Sequence, residues 1–328
     1  MPSQTTIGDL ICICDGLAFV LATMVSKKFS SITPMEFLYV RCVMQLLAVF
    51  YVKFRSRNFT IFSKGNTKPL MATVLTGLLG VVFSLAYLYS LEYIPPADMF
   101  AFHKLKIIVT GITSMLVFDE IFGTLELVAA SIVIAGELVL TQPPIIFGGS
   151  MSAYADATVL NWLVALSSVF SSGFQPVLLR YALARGTKDF KSDASDYLLH
   201  FGLFGLTILN MVGTTATLQN RTQKDFVVMM VYSVLAMSGS ALFKISLDYI
   251  SSARYAVINC AVVPLAFFMD ALAGTGNFRW SGLCGASIVT LGVMFFSLVQ
   301  YYRQQGKIKG VWQVSLRGQQ KFIKIEHS

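Results

Sequence analysis

An all-α membrane fold of ten transmembrane helices, arranged as two inverted five-helix repeats with both termini cytoplasmic, is what the sequence predicts. Three observations carry that expectation. The first is composition: 55% of the 328 residues are hydrophobic and 13% charged, against about 25% charged in soluble proteins. The mean hydropathy of +0.67 agrees. The second is the regular succession of apolar stretches about 20 residues long, each sufficient to cross a hydrocarbon core about 30 Å thick. The third is an internal repeat at a shift of 156 residues.

The ten predicted spans are 7–26, 34–53, 69–91, 95–118, 121–141, 158–182, 197–216, 226–247, 251–273 and 279–300. Pro34, Pro69 and the pair Pro95-Pro96 open their spans, where a missing N–H leaves no hydrogen bond unmade. Short connections favour antiparallel neighbours. The longest connection, QPPIIFGGSMSAYADA at 142–157, is rich in Pro, Gly and Ser and has no Lys or Arg. It separates a first five-helix repeat, 1–141, from a second, 158–300, and a basic cytoplasmic tail follows at 301–328. The first six residues lack a basic n-region, so no cleavable signal peptide is expected.

Orientation follows from the positive-inside rule. With a cytoplasmic N-terminus, sixteen of the 25 Lys and Arg residues fall inside and five (Lys27, Lys28, Arg221, Lys224 and Arg279) fall outside. The remaining four, Arg41, Lys104, Lys106 and Lys244, lie within spans. The sequon at Asn58 is then cytoplasmic and silent, whereas that at Asn220 faces outward in a short loop.

The repeat is carried by two clusters in register. Ser90-Leu-Glu-Tyr-Ile94 falls on Ser246-Leu-Asp-Tyr-Ile250, and Ala130-Ser-Ile-Val133 with Gly136 falls on Ala286-Ser-Ile-Val289 with Gly292. An odd number of spans per copy forces the copies into opposite orientations, an arrangement common in secondary transporters.

The third-to-fourth span junction, Tyr87-Leu-Tyr-Ser-Leu-Glu-Tyr93-Ile-Pro-Pro-Ala97-Asp98, precedes an acidic Asp119-Glu120 turn and a fifth span with Gly136 and a Thr-Gln-Pro-Pro exit. With five plus five spans, this pattern resembles the drug/metabolite transporter superfamily. Within it, the chain is similar to the EamA-type members and the related solute carrier family 35 proteins over roughly residues 7–300. The resemblance implies a carrier rather than an enzyme, and names no substrate. Many relatives carry a proline within the fourth span, where this chain has His103-Lys-Leu-Lys106; its ninth span does carry Pro264.

Charged groups inside the spans are the candidates for function. Lys104 lies about 14 Å along the fourth span, near the bilayer midplane. A charge there costs at least about 2.5–3.5 kcal/mol, so Lys104, Lys106 and His103 are expected to face a cavity or a partner. On a continuous helix Lys104 and Lys106 point nearly opposite ways, so at most one meets a substrate. Lys104 bound to substrate and Lys104 paired with Asp15 are both open. By the repeat, His103 is the counterpart of Asn259. Arg41, about 10 Å into the second span, suits bidentate binding of a carboxylate or phosphate, or pairs with Glu36 or Asp15. Lys244 and Asp248 have the spacing of an i,i+4 pair. Asp15 is the candidate for proton coupling, with Glu137 and Asp270 placed near span ends and more solvated.

The five cysteines read as small core residues, and no metal, cofactor or catalytic residue is expected. No Walker motif, HExxH or GxSxG is present. The expectation is a secondary transporter moving a small organic, anionic metabolite by alternating access. Expected partners are that solute and membrane lipids, with no nucleic acid; homodimerisation stays open, as does endomembrane versus plasma membrane. The alternatives are a proton-coupled exporter of amphipathic compounds, a scaffold acting through its basic tail, and an intramembrane enzyme, for which His103 with Asp15 is a thin candidate.

Overall fold

The computed structural model describes residues 4–29, 31–56, 67–93, 99, 102–118, 123–142, 144–147, 158–185, 194–265 and 280–304. Among them every regular element is helical. The 142–157 connection (beyond a helical turn at Pro144–Phe147), the Pro95-Pro96 junction, the Asn58 sequon, Asp270 and the tail beyond 304 lie outside the described residues.

In chain order the main helices are α1 (Gln4–Lys28), α2 (Pro34–Ser56), α3 (Thr67–Tyr93), α4 (Lys106–Phe118), α5 (Thr124–Thr141), α6 (Val159–Arg185), α7 (Ala194–Met211), α8 (Gln223–Tyr249), α9 (Ser252–Ile258) and α10 (Trp280–Gln304). Their starts are written in the sequence. Thr33 and Glu36 form a reciprocal cap for α2: the Thr33 amide donates to Glu36 Oε2 at 2.7 Å, and the Glu36 amide donates to Thr33 Oγ1 at 3.4 Å. Thr222 and Asp225 do the same for α8, and the Ser251 hydroxyl caps α9 by accepting from the Arg254 amide at 3.1 Å. After α7 the chain turns at Gly213, whose φ of 81° suits a residue without a Cβ. The expected seventh span therefore stops short of 216.

Among the described residues six helical stretches are long and apolar enough to cross a membrane: Gln4–Ser26, Pro34–Arg55, Thr67–Ser90, Val159–Ala184, Gln223–Tyr249 and Trp280–Tyr302. Two shorter apolar ones are Lys106–Phe118 and Ser252–Leu265. These shorter helices fall in the expected fourth and ninth spans, where the backbone departs from α geometry. The other two, α5 and α7, have 18 residues each, about 27 Å at 1.5 Å per residue. Many apolar side chains face outward, including Leu47, Phe50, Ile112, Leu116, Leu163, Leu291 and Met294, as a lipid-facing surface requires. An integral, multi-pass membrane protein is the architecture that results.

Packing repeats at the same shift as the sequence. α1 lies on α8 and α3 on α6; α2 lies on α8 and α3 on α7. Exchanging the first five helices for the last five converts each contact into its mate. The α5–α10 seam is reciprocal at atomic level. A Cβ on Gly136 would stand 2.6 Å from the Val289 amide nitrogen, and one on Gly292 would stand 2.8 Å from Val133 Cγ2 and 3.0 Å from the Val133 amide nitrogen. Gly292 is 156 residues after Gly136, and Val289 is 156 after Val133. Gly285 packs closer still, directly against the Leu140 amide nitrogen. Small residues let helix backbones approach, which is how helices associate where lipid supplies no hydrophobic drive.

The protein is pinned by long-range ion pairs. Arg221 grips Glu36 with Nε and Nη2 at 2.9 and 2.7 Å, and Arg254 grips Asp9 with the same two nitrogens at 2.8 and 2.6 Å. Lys53 meets Asp196 at 2.5 Å. Glu36 and Asp196 are each the third residue of α2 and α7. The expected Lys244–Asp248 pair is present at 2.9 Å.

Candidate functional site

The polar core is built where two helices break. Phe102 and His103 are helical, but the backbone leaves α geometry at Lys104 and Leu105 before α4 resumes at Lys106. Amides there bond three residues back: Leu105 to Phe102 at 3.1 Å, Ile107 to Lys104 at 3.0 Å and Ile108 to Leu105 at 3.0 Å. In the second half α9 ends at Ile258 and a 3₁₀ turn takes over at Asn259–Ala261. The two tight turns begin at Lys104 and at Asn259, one residue from the 156-residue register. A short 3₁₀ stretch inside a helix marks local strain or a hinge.

The break redirects the side chains. On a continuous helix the two lysines would oppose each other. Instead both ammonium groups lie near Cys12 of α1 and Cys260 of the 3₁₀ turn. Lys104 is buried and faces Glu137 of α5, Nζ to Oε1 at 3.9 Å. Lys106 is half-buried and is the lysine that feels Asp15. The ion pair that Lys104 forms is therefore with Glu137, not with Asp15, one of the partners left open for it. Glu137 is fully buried rather than solvated.

Asp15, buried in α1, accepts a short hydrogen bond of 2.5 Å from the Tyr255 hydroxyl. A Cβ on Gly239 of α8 would lie 3.3 Å from its Oδ1. Asn259 is half-buried and packs over α1, where a Cβ on Gly16 would stand 3.2 Å from its Nδ2.

His103 packs against α3 and α6. Its ring stacks on Phe83 at 5.1 Å and meets Tyr87 edge-on at 5.6 Å. Its Nε2 lies 3.0 Å from Ser172 Oγ. That hydroxyl also lies 3.1 Å from the Val169 carbonyl. The fourth segment thus sends His103 towards α3 and α6 and its lysines towards α1 and α9.

Arg41 pairs with neither Glu36 nor Asp15, since Arg221 occupies Glu36 and Tyr255 binds Asp15. Its Nη2 donates to Ser240 Oγ at 2.7 Å, the Tyr232 hydroxyl is within reach, and its guanidinium covers the Phe201 ring at 4.5 Å. Between Arg41 and Asp15 runs a ladder of rings: Phe201 to Tyr197 at 6.3 Å, Tyr197 to Phe243 at 6.1 Å and Phe243 to Tyr255 at 5.0 Å. Three cations and two carboxylates therefore share the core, organised by aromatic side chains.

Sequence reasoning missed Glu137 as a partner, and also Tyr255, Ser240 and Phe201. The repeat held one signal, since Glu137 follows Gly136 within a matched cluster. The cysteines divide: Cys12, Cys42 and Cys260 are buried, while Cys14 and Cys284 are exposed, so those two are not core residues. Among the described residues no cluster of His, Cys, Asp or Glu could hold a metal. A cavity of about 450 Å³ opens at the end of the bundle that carries Thr5, Arg180, Arg254 and Gln300, a volume suited to a small metabolite.

A helical, membrane-embedded bundle with a charged, aromatic-lined core is the class of protein these features define. Residues 6–142 match the EamA-like transporter family, so the resemblance to EamA-type drug/metabolite transporters is borne out over that segment. An uncharacterized transporter of Helicobacter pylori (strain ATCC 700392 / 26695) is 26% identical over 202 residues, covering 61% of this chain and 60% of that one. The chain thus spans under two thirds of that relative. A protein of known crystal structure superposes with a TM-score of 0.70 at 13% identity, over 90% of this chain and 99% of that one. This likeness shows the fold.

Proposed function

We propose that this protein is a secondary transporter, not an enzyme, that moves a small organic anion by alternating access of two inverted five-helix repeats. The repeats are 1–141 and 158–300, joined by 142–157 and followed by the cytoplasmic tail 301–328. The observation that carries the reading is the pair of helix breaks, at Lys104 in the first half and Asn259 in the second, inside the charged core. Transporters built from inverted repeats bind substrate near the midplane, at discontinuous helices. The kinship of residues 6–142 and the transporter relative support the same class.

Lys104, Lys106, His103, Arg41 and Asn259 are the candidate substrate residues, with Asp15 the candidate coupling group. The cavity beside Arg180 and Arg254 is the mouth on the N-terminal face. A second reading, proton-coupled export of amphipathic compounds, is favoured by the buried carboxylates Asp15 and Glu137 beside an aromatic ladder.

Reconstitution into proteoliposomes tests the proposal. Counterflow of labelled dicarboxylates and phosphate monoesters is expected, with loss in Arg41→Ala and in Lys104→Ala combined with Lys106→Ala. Full transport by both variants would defeat the anion reading. Transport only of amphipathic cations, driven by an imposed pH gradient, would favour the second reading instead.

A further inference from the structure

The buried cations of this chain fall into two groups. Lys104 has Glu137 at 3.9 Å, Lys53 has Asp196 at 2.5 Å and Lys244 has Asp248 at 2.9 Å. Arg41 differs. It is 8% exposed, within α2 of the membrane bundle, and among the described residues no carboxylate lies within ion-pair distance of it. Its polar neighbours are two hydroxyls, Ser240 and Tyr232. Its Nε is buried and donates to nothing. An arginine cannot shed its proton to escape such a site, and no carboxylate among the described residues compensates the charge.

The edge that Arg41 presents is informative. Arg221 and Arg254 each hold a carboxylate with Nε and Nη2, the side-on fork that matches two oxygens of a planar anion. In Arg41 the same edge has a serine hydroxyl on Nη2 and no acceptor on Nε. Ser240 Oγ is itself committed as a donor to the Ala236 carbonyl at 3.1 Å, so towards Arg41 it can only accept. Phe201 backs the guanidinium plane at 4.5 Å and fixes its orientation.

We infer that Arg41 supplies the counter-charge for a bound carboxylate or phosphate monoester, docked on its Nε/Nη2 edge between α2, α7 and α8. Among the described residues Arg41 is thus a buried charge with no facing carboxylate, which a bound anion would complete. The inference rests on the transporter reading for what the anion is doing there, and on the geometry of Arg41 for the binding itself.

Thermal unfolding of the purified full chain tests it without requiring the natural substrate. The probes are inorganic phosphate and succinate, with chloride at matched ionic strength as control. Arg41→Met removes the uncompensated charge and keeps the volume, so in chloride it is expected to melt about 2–4 °C above wild type. At least one probe should raise the melting temperature of wild type and leave Arg41→Met unmoved. Should Arg41→Met fail to fold, Arg41→Gln serves in its place, and Arg41→Lys should show a diminished probe shift. Melting of Arg41→Met or Arg41→Gln below wild type in chloride would make Arg41 a structural residue and overturn the inference. A probe shift that survives in Arg41→Met, or none with either probe in wild type, overturns it equally. A probe shift without counterflow would instead strike the transporter reading and leave the site standing.

Discussion

Removing Lys104 should take an ion-pair partner from a fully buried carboxylate. Glu137 is fully buried and its Oε1 lies 3.9 Å from the Lys104 ammonium. At that separation, with an effective dielectric constant of about 20, the attraction is about 4 kcal/mol. Each ion was desolvated to enter the core, so the net worth of the pair is smaller, but breaking it from one side costs more than that net worth, up to about 3–5 kcal/mol. Lys104→Met is therefore expected to lower the unfolding temperature by roughly 10 °C, using about 2–4 °C per kcal/mol. Glu137→Gln should lose a comparable amount. The double variant, with neither charge, should recover most of the loss, because a neutral pair of similar volume carries no desolvation penalty. Scanning fluorimetry on the four proteins of this cycle measures it directly. If the single variants melt with wild type, or if the double variant loses the sum of the two, the pair does not operate and the charge balance of the core is misassigned.

Other consequences can be checked separately. Gly136→Ala and Gly292→Ala each push a Cβ into the facing helix at under 3 Å, so each should cost about 1–3 kcal/mol. The two losses should match within error if the seam is reciprocal; a loss at only one would contradict that. Glu36→Gln breaks the two-pronged contact with Arg221 and should cost about 1.5–3 kcal/mol. Adding Arg221→Ala to it should cost little more, as chemical denaturation can determine. His103→Phe keeps the stack on Phe83 and loses the bond to Ser172, so a loss of about 1 kcal/mol is expected, with counterflow retained if His103 is a packing residue. Cys14 and Cys284, exposed on the bundle, should react with a membrane-permeant maleimide while Cys12, Cys42 and Cys260 stay protected until denaturation.

The membrane class was legible because hydropathy reads burial in lipid directly, and helix starts such as Thr33 to Glu36 are local. The pairing of charges was not. Depth along continuous helices sets Lys104 beside Asp15, and Arg41 beside Glu36. The turn at Lys104 and Leu105 rotates the residues after it, so depth and angle fail as guides at the positions that matter. Glu36 finds Arg221 from 185 residues away, and no spacing rule spans that distance. Glu137 reads as solvated because it lies near a span end. It is buried where α5 faces Lys104 of the fourth segment, a contact that no local spacing implies. Lys244 and Asp248 were legible because four residues on one helix need no tertiary knowledge.

The reciprocal seam between α5 and α10 also bears on how the molecule can move. With Gly136, Gly285 and Gly292 holding backbone against side chain and backbone, α5 cannot slide along α10 without driving those contacts into overlap. Rotation about an axis through the seam, by contrast, leaves it intact. If the halves rock against each other, this line is their axle, and the displacement must be taken up farther out, where α1 meets α8 and α3 meets α6. Cross-linking α5 to α10 should then be tolerated by a working carrier, whereas a tie between α1 and α8 should stop it.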